Sequence, residues 1–254
     1  MKLQHASWPE VEDYLKRSSA ILIPIGSTEQ HGPTGLIGTD ALCPEVLANG
    51  IAERGGALVA PTLSIGMAQH HLGFPGSITL RPSTLIAVIQ DVVNSLARHG
   101  FDRFFFLNGH GGNIASVTAA FSEIYAEASL GSAPSNRPAL RCKLHNWWDV
   151  PGVKQLSKDL FGADEGGHAT CSEVSLTYYA FPEVGQRLAA ASDRLVGERA
   201  PNGPIRDAAD YRRRFPDGRI GSNPRRASSE AGARLYEAAV TELSEVLRRF
   251  AEEE

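Results

Sequence analysis

The sequence predicts an α/β protein, a largely parallel sheet with helices on both sides. Three observations lead there. Short apolar runs alternate with helical patterns along most of the chain, as strand–helix–strand units require. Residues 20–25 (Ala-Ile-Leu-Ile-Pro-Ile) are apolar at every position, as in a central parallel strand buried on both faces. No internal repeat or Ser/Gly-rich linker divides residues 1–254, so the chain reads as one domain.

The elements follow in order. Ser7-Trp8-Pro9-Glu10 is a capping box with proline in the first turn, so a helix runs to about Lys16. Residues 20–25 form the first strand, with Pro24 placing its end there or at a sheet edge. A helix spans residues 40–54 and closes at Gly55-Gly56. Residues 57–61 are the next strand. Leu85, Val88, Ile89, Val92, Val93 and Leu96 make a helical stripe within residues 84–99, and Gly100 ends it. Residues 103–107 form a strand, 114–128 a helix and 139–145 a strand ending at Trp147-Trp148. Thr170-Cys-Ser-Glu173 is a second capping box, opening a helix toward Ala180. Residues 197–227, rich in Gly, Pro and Arg, read as irregular. Ser228 starts a last helix with Leu235, Ala239, Leu243, Val246 and Phe250 on one face.

Bulk properties exclude more than they assign. The 25 basic and 29 acidic residues give a net charge of −4, which provides no field for nucleic acid or an anionic membrane. No apolar run is long enough to span a bilayer, and the N-terminus lacks the apolar core of a signal peptide. Cys43, Cys142 and Cys171 form no CxxC pair, which fits a reducing cytoplasm. No GxSxG is present and no cysteine sits in a nucleophile context, which argues against covalent acyl transfer.

Three segments concentrate metal-binding side chains. Glu29 and His31 follow the first strand; in an extended loop their side chains point the same way, and Asp40 lies where the next helix starts. A carboxylate there can bridge two cations; alternatively Asp40 caps the helix, and Glu29 and His31 are solvated. His110 sits within Asn108-Gly-His-Gly-Gly-Asn113, between a strand and a helix, where Gly111 and its neighbours allow the backbone close to a ligand. An anion cradle is the rival there, although neither a P-loop nor GxGxxG is present. His168, flanked by glycines, suits donating a proton to a leaving nitrogen, and Glu173 either completes the capping box or joins the ligands. His71, beside His70 and the turn Gly73-Phe-Pro-Gly76, lines a pocket or lies at the surface; Trp148 offers a flat wall for a ring or packs in the core. The Arg212–Arg214 run and Arg225-Arg226 form a solvated face or meet a substrate anion.

Together these motifs resemble the creatininase (creatinine amidohydrolase) family. The match rests on residues 23–33 (Ile-Pro-Ile-Gly-Ser-Thr-Glu-Gln-His-Gly-Pro), Thr39-Asp40, Phe74-Pro-Gly-Ser-Ile78, residues 108–113, and His168 with Glu173. It covers the chain from about residue 8 to about 250. The resemblance implies a three-layer α/β/α sandwich and two divalent ions per subunit (zinc, manganese or iron). Glu29, His31, Asp40, His110 and Glu173 map to the metal site, with Asp40 as the bridge. His168, with Glu173 beside it, maps to the catalytic machinery, and Trp148, His71 and Gly111 to the substrate pocket. It implies hydrolysis of a non-peptide C–N bond in a small cyclic or linear amide by a hydroxide held between the ions. The alternatives are a formamide hydrolase of flavin or deazaflavin biosynthesis, a phosphoesterase, and a binding protein with a decayed metal site. A cytoplasmic homohexamer built from dimers is the expected assembly, with no nucleic acid or membrane partner. Two positions depart from true creatininases. Gly112 stands where they carry a glutamate ligand, so Glu173 must complete the second metal, and Asp164 stands where they carry a substrate-covering tryptophan. Both speak against creatinine itself.

Overall fold

The computed structural model describes residues 1–131, 138–197 and 200–253. Three strands, β1 (Ala20–Ile25), β2 (Arg103–Asn108) and β3 (Arg141–Asn146), form a parallel sheet in that order. Their register is level: Ala20 pairs with Arg103 and Arg103 with Arg141, while Ile25 pairs with Asn108 and Asn108 with Asn146. The carboxyl ends therefore finish on one edge, where ligand sites of open α/β sheets form.

The helices are α1 (Trp8–Leu15), α2 (Thr39–Gly55), α3 (Pro82–Ala97), α4 (Ile114–Ser129), α5 (Pro151–Phe161), α6 (Cys171–Ala180), α7 (Pro182–Ala189), α8 (Ala208–Arg214) and α9 (Ser229–Glu252). Strand side chains alternate between two cores, as the pleat dictates. Leu22, Phe105 and Leu107 pack with Leu47 and Ile51 of α2, Val153 of α5, Leu176 of α6 and Leu235 and Leu243 of α9. Ile21, Ile23, Phe104 and Phe106 pack with Tyr14 of α1, Leu85 and Ile89 of α3, and Val117 and Phe121 of α4. Sheet between two helical layers is the three-layer α/β/α arrangement expected.

Three expectations need correction. Strand β1 neither stops at Pro24 nor ends the pairing there. Leu22 N–H donates to the Leu58 carbonyl and Ala60 N–H to the Leu22 carbonyl, both at 2.9 Å, so residues 57–63 run beside β1. The next bond is Leu63 N–H to the Pro24 carbonyl, one residue out of step, so the donor that Pro24 lacks falls where the pairing is already bulged. Residues 57–61 are thus extended but joined by isolated bridges rather than a regular ladder. Residues 197–227 are not wholly irregular: Asp207 caps α8 through Asp210 N–H. Helices α5 and α7, each opened by a proline, lie where no helix was expected. Among the described residues no helix is long and apolar enough to cross a membrane.

Candidate metal centre

The loops leaving β1 and β2 carry the ligand candidates, and the first turn of α2 lies directly on these strand tips. That approach depends on glycine. A Cβ on either Gly26, after β1, or Gly109, after β2, would overlap the Asp40 carbonyl oxygen. Pro44, inside α2, has no N–H to donate back to that carbonyl and packs against Gly109 as well. Asp40 is the second residue of α2, not its cap; Gly38 holds that position. Its side chain is therefore free to face the loops.

Glu29, His31, Asp40 and His110 are all buried, which overturns the solvated-loop alternative for Glu29 and His31. Asp40 is shared: Oδ1 lies 2.9 Å from His31 Nε2 and Oδ2 lies 2.9 Å from His110 Nδ1. His110 Nε2 is 3.3 Å from Glu29 Oε2 and 2.9 Å from the Met67 carbonyl. Glu173 Oε1 is 3.8 Å from His31 Nε2 and also accepts the Thr170 N–H at 2.5 Å. The capping box and the cluster are therefore compatible: the first aims the carboxylate at the second. Glu29, Asp40 and His110 form one group whose ligand atoms lie within 4.8 Å of one another; His31, Asp40 and Glu173 form another; Glu29, His31 and His168 form a third.

This donor set fits divalent cations. Neither oxygen of the fully buried Glu29 accepts an aligned hydrogen bond; the nearest groups are imidazole nitrogens, His71 Nε2 at 3.0 Å and His110 Nε2 at 3.3 Å. Mixed carboxylate and imidazole donors suit zinc, manganese or iron. The proton inventory points the same way. Burial raises Glu29, and burial pushes Glu173 up to about 7 against the pull of His31. Burial would lower His31 and His110, but Asp40 and Glu173 hold the first near about 10, and Glu29 and Asp40 hold the second near about 9. Burial would raise Asp40, yet the same two imidazoles keep it well below the carboxylate range. Protons on His31 and His110 thus neutralise the carboxylates that cations would otherwise balance.

Around this cluster lies a hydrogen-bond hub that no sequence motif revealed. His70 and His71 are buried, not surface residues. His71 Nδ1 is 3.0 Å from the side-chain nitrogen of Gln30, which turns His71 Nε2 toward Glu29 Oε1 at 3.0 Å. Burial first, then the neighbouring histidines, push His71 down to about 2, so it is neutral. Gln30 also donates to the Gly218 carbonyl at 2.9 Å, and its own carbonyl lies 2.8 Å from His168 Nε2. The Gln30 side-chain nitrogen lies 3.1 Å from the same Nε2, and His168 Nδ1 faces the cluster, 3.8 Å from Glu29 Oε1. Burial, then His31 and His71, hold His168 well below its ordinary value. Its backbone is braced by the Ile220 carbonyl and by Ser222, whose hydroxyl donates to the His168 carbonyl at 2.8 Å. Fully buried Arg219 fastens that loop, donating to Asp217 at 2.7 Å and to the Ser222 and Val196 carbonyls at 2.9 Å.

A cavity of about 670 Å³ opens from the cluster. Glu29, Asp40, His71, His110, Gly111, His168 and Glu173 line its inner part, and Trp148 with α5 lines its outer part. Each candidate for the metal site, proton transfer or substrate pocket except His31 borders it, His31 lies behind the cluster bonded to Asp40, and the arginines at 212–214 and 225–226 do not reach this cavity. Asp164 does not border it; it pairs with Arg226 at 3.5 Å.

The family model described as "Creatininase: Creatinine amidohydrolase" matches residues 4–247. A creatinine amidohydrolase of Pseudomonas putida is 28% identical over 254 residues, covering 95% of this chain and 94% of that protein. A mycofactocin precursor peptide peptidase of Mycolicibacterium smegmatis is 33% identical over 125 residues, 46% of this chain and 50% of its own length. A solved structure titled "Creatininase Mn" superposes with a TM-score of 0.84 at 25% identity, covering 98% of both chains.

Proposed function

Because the chain belongs to the creatininase (creatinine amidohydrolase) family, we propose that it is a metal-dependent amidohydrolase acting on a non-peptide C–N bond of a small cyclic or linear amide. The observation that carries this reading is Asp40, whose two oxygens belong to two adjoining ligand groups. Glu29, Asp40 and His110 would hold one cation, and His31, Asp40 and Glu173 the other. When bound, two such ions supply Lewis acidity for the amide carbonyl and bring the ionisation of a coordinated water near neutrality.

The remaining work falls to side chains of this chain. His168 is neutral and its Nδ1 faces the cluster, so Nδ1 is the atom that takes a proton during attack and returns it to the departing nitrogen. Gln30 holds that ring through its carbonyl, and His71 steadies Glu29. Trp148 forms a wall for the substrate and Gly111 lets it approach the loop after β2. Creatinine is disfavoured as substrate, because Asp164 is turned to Arg226 rather than over the cavity. We place the enzyme in a cytoplasmic homo-oligomer, a hexamer of paired subunits.

Metal analysis alongside a panel of lactams, formamides, short peptides and phosphoesters tests the reading. Two equivalents of metal and chelator-sensitive release of ammonia, amine or formate from an amide are expected. Turnover of phosphoesters alone, or no retained metal after growth in supplemented medium, refutes it. A peptide bond is the second candidate, favoured by the similarity to the mycofactocin precursor peptide peptidase, and the peptide arm of the panel decides it.

A further inference from the structure

The outer half of the cavity carries a chemical preference of its own. One face of α5 presents Lys154, Ser157 and Lys158 to it, at the i, i+3, i+4 spacing that aligns side chains on a helix. The opposite face, with Val153, Leu156 and Phe161, is committed to the core. The remaining charged groups of the cavity are already engaged. Glu29, Asp40 and Glu173 belong to the ligand cluster. Glu165 accepts from the Ser172 hydroxyl, and from the Ser172 N–H at 3.2 Å. Lys154 lies 2.9 Å from Asp149. Among the described residues Lys158 makes no ion pair, so it is the ammonium of this chamber without a carboxylate partner. A scissile amide of a few heavy atoms seated at the ligand cluster does not fill about 670 Å³.

We infer that the substrate is an anionic amide, with a carboxylate or phosphate that extends from the scissile group past Trp148 to Lys158 and the Ser157 hydroxyl. This rests on the amidohydrolase reading for the position of the scissile group, but the charge preference is measurable without turnover. The cation and hydroxyl on α5 recognise the anionic oxygens, and the indole of Trp148 covers the apolar link between the two ends.

The test is equilibrium binding to the zinc-loaded protein by calorimetry, with three probes of similar length: glutaramate, 4-phosphonobutanamide and the neutral glutaramide. Both anions are expected to bind more tightly than glutaramide, by roughly fivefold for one solvent-accessible charge pair. The preferred anion identifies the terminal group. Lys158→Met should bring the ratio of anionic to neutral affinity to about one, and Lys158→Glu should invert it. Lys154→Met, whose ammonium already has Asp149, should change it less. Equal affinity for all three probes in the native protein, or a preference that survives Lys158→Met, overturns the inference. Hydrolysis is read separately. Anion preference without turnover of any amide refutes the proposed reaction alone, and turnover without charge preference refutes the lysine assignment alone.

Discussion

Metal loading of this site should release protons, and their number can be worked from the cluster. In the metal-free protein His31 and His110 are held protonated at about 10 and about 9 by the carboxylates they face. An imidazolium cannot ligate, so each proton must leave before a cation enters. At 1.36 kcal/mol per unit, deprotonation at pH 7 costs about 4 kcal/mol for His31 and about 3 kcal/mol for His110. Glu173, near about 7, adds part of a third proton. Filling both positions at pH 7 should therefore release at least two protons, and affinity should rise roughly tenfold per ion per pH unit between pH 6 and 8. Calorimetric titration with zinc in two buffers of different ionisation enthalpy counts these protons directly. Release of fewer than one would refute the arrangement, because the imidazoles would then already be unprotonated. The stability consequence has the opposite sign. A raised histidine stabilises the metal-free fold below its unfolded value near 6.5, and that contribution is lost as pH rises through about 9 to 10. The melting temperature of metal-free protein should thus fall across this window while that of loaded protein does not.

Four further outcomes follow from the same geometry. His168→Ala should keep both metals and lose turnover on the order of 10²- to 10⁴-fold, whereas lost metal would assign His168 to its alternative group with Glu29 and His31. Gly109→Ala should cost about 1–3 kcal/mol in denaturant unfolding and lower metal content, since its methyl overlaps the Asp40 carbonyl, while Gly111→Ala, with open space around it, should stay within about 0.5 kcal/mol. Arg219→Met should cost about 1–3 kcal/mol by leaving the Ser222 and Val196 carbonyls without their donor and Asp217 with backbone N–H partners alone, with a parallel loss of kcat as the loop behind His168 loosens. Gly112→Glu should lose rather than gain metal, measured by elemental analysis, because its Cβ would collide with His110 Nε2 and the Met67 carbonyl.

Much of the fold was legible because local chemistry and tertiary position agree. The capping boxes at Ser7 and Thr170, the αL glycine at Gly56 and the Ser228 cap each bound a helix that forms where its own residues ask for it. Short helices failed this test. α8, with its three arginines, owes its place to Tyr211, a buried side chain packed against Phe74 and Phe215 from elsewhere in the loop region. The site divides the same way. Glu29, His31, Asp40 and His110 were readable because strand ends and glycines surround them in sequence. Gln30 was not, since a glutamine between two ligands looks solvated until distant Tyr211 and Gly218 bury it, and His71, readable as a pocket residue, gave no sign of its bond to Gln30. Arg219 stands in no motif; only the closing of Asp217 and two carbonyls around it makes it internal.

The departure at Gly112 is the place where sequence and geometry constrain each other most closely. A glutamate there, as in true creatininases, would need room that this chain has given to His110, whose Nε2 is drawn to the Met67 carbonyl at 2.9 Å. Removing that carboxylate without replacement would leave His31 and Asp40 as a two-donor position, too few to hold an ion firmly. Glu173 would supply the third donor from the other side, and its capping bond to Thr170 N–H orients it. A residue whose sequence context suggested only helix capping thereby serves both ends of the argument. Gly112 itself borders the cavity beside His110.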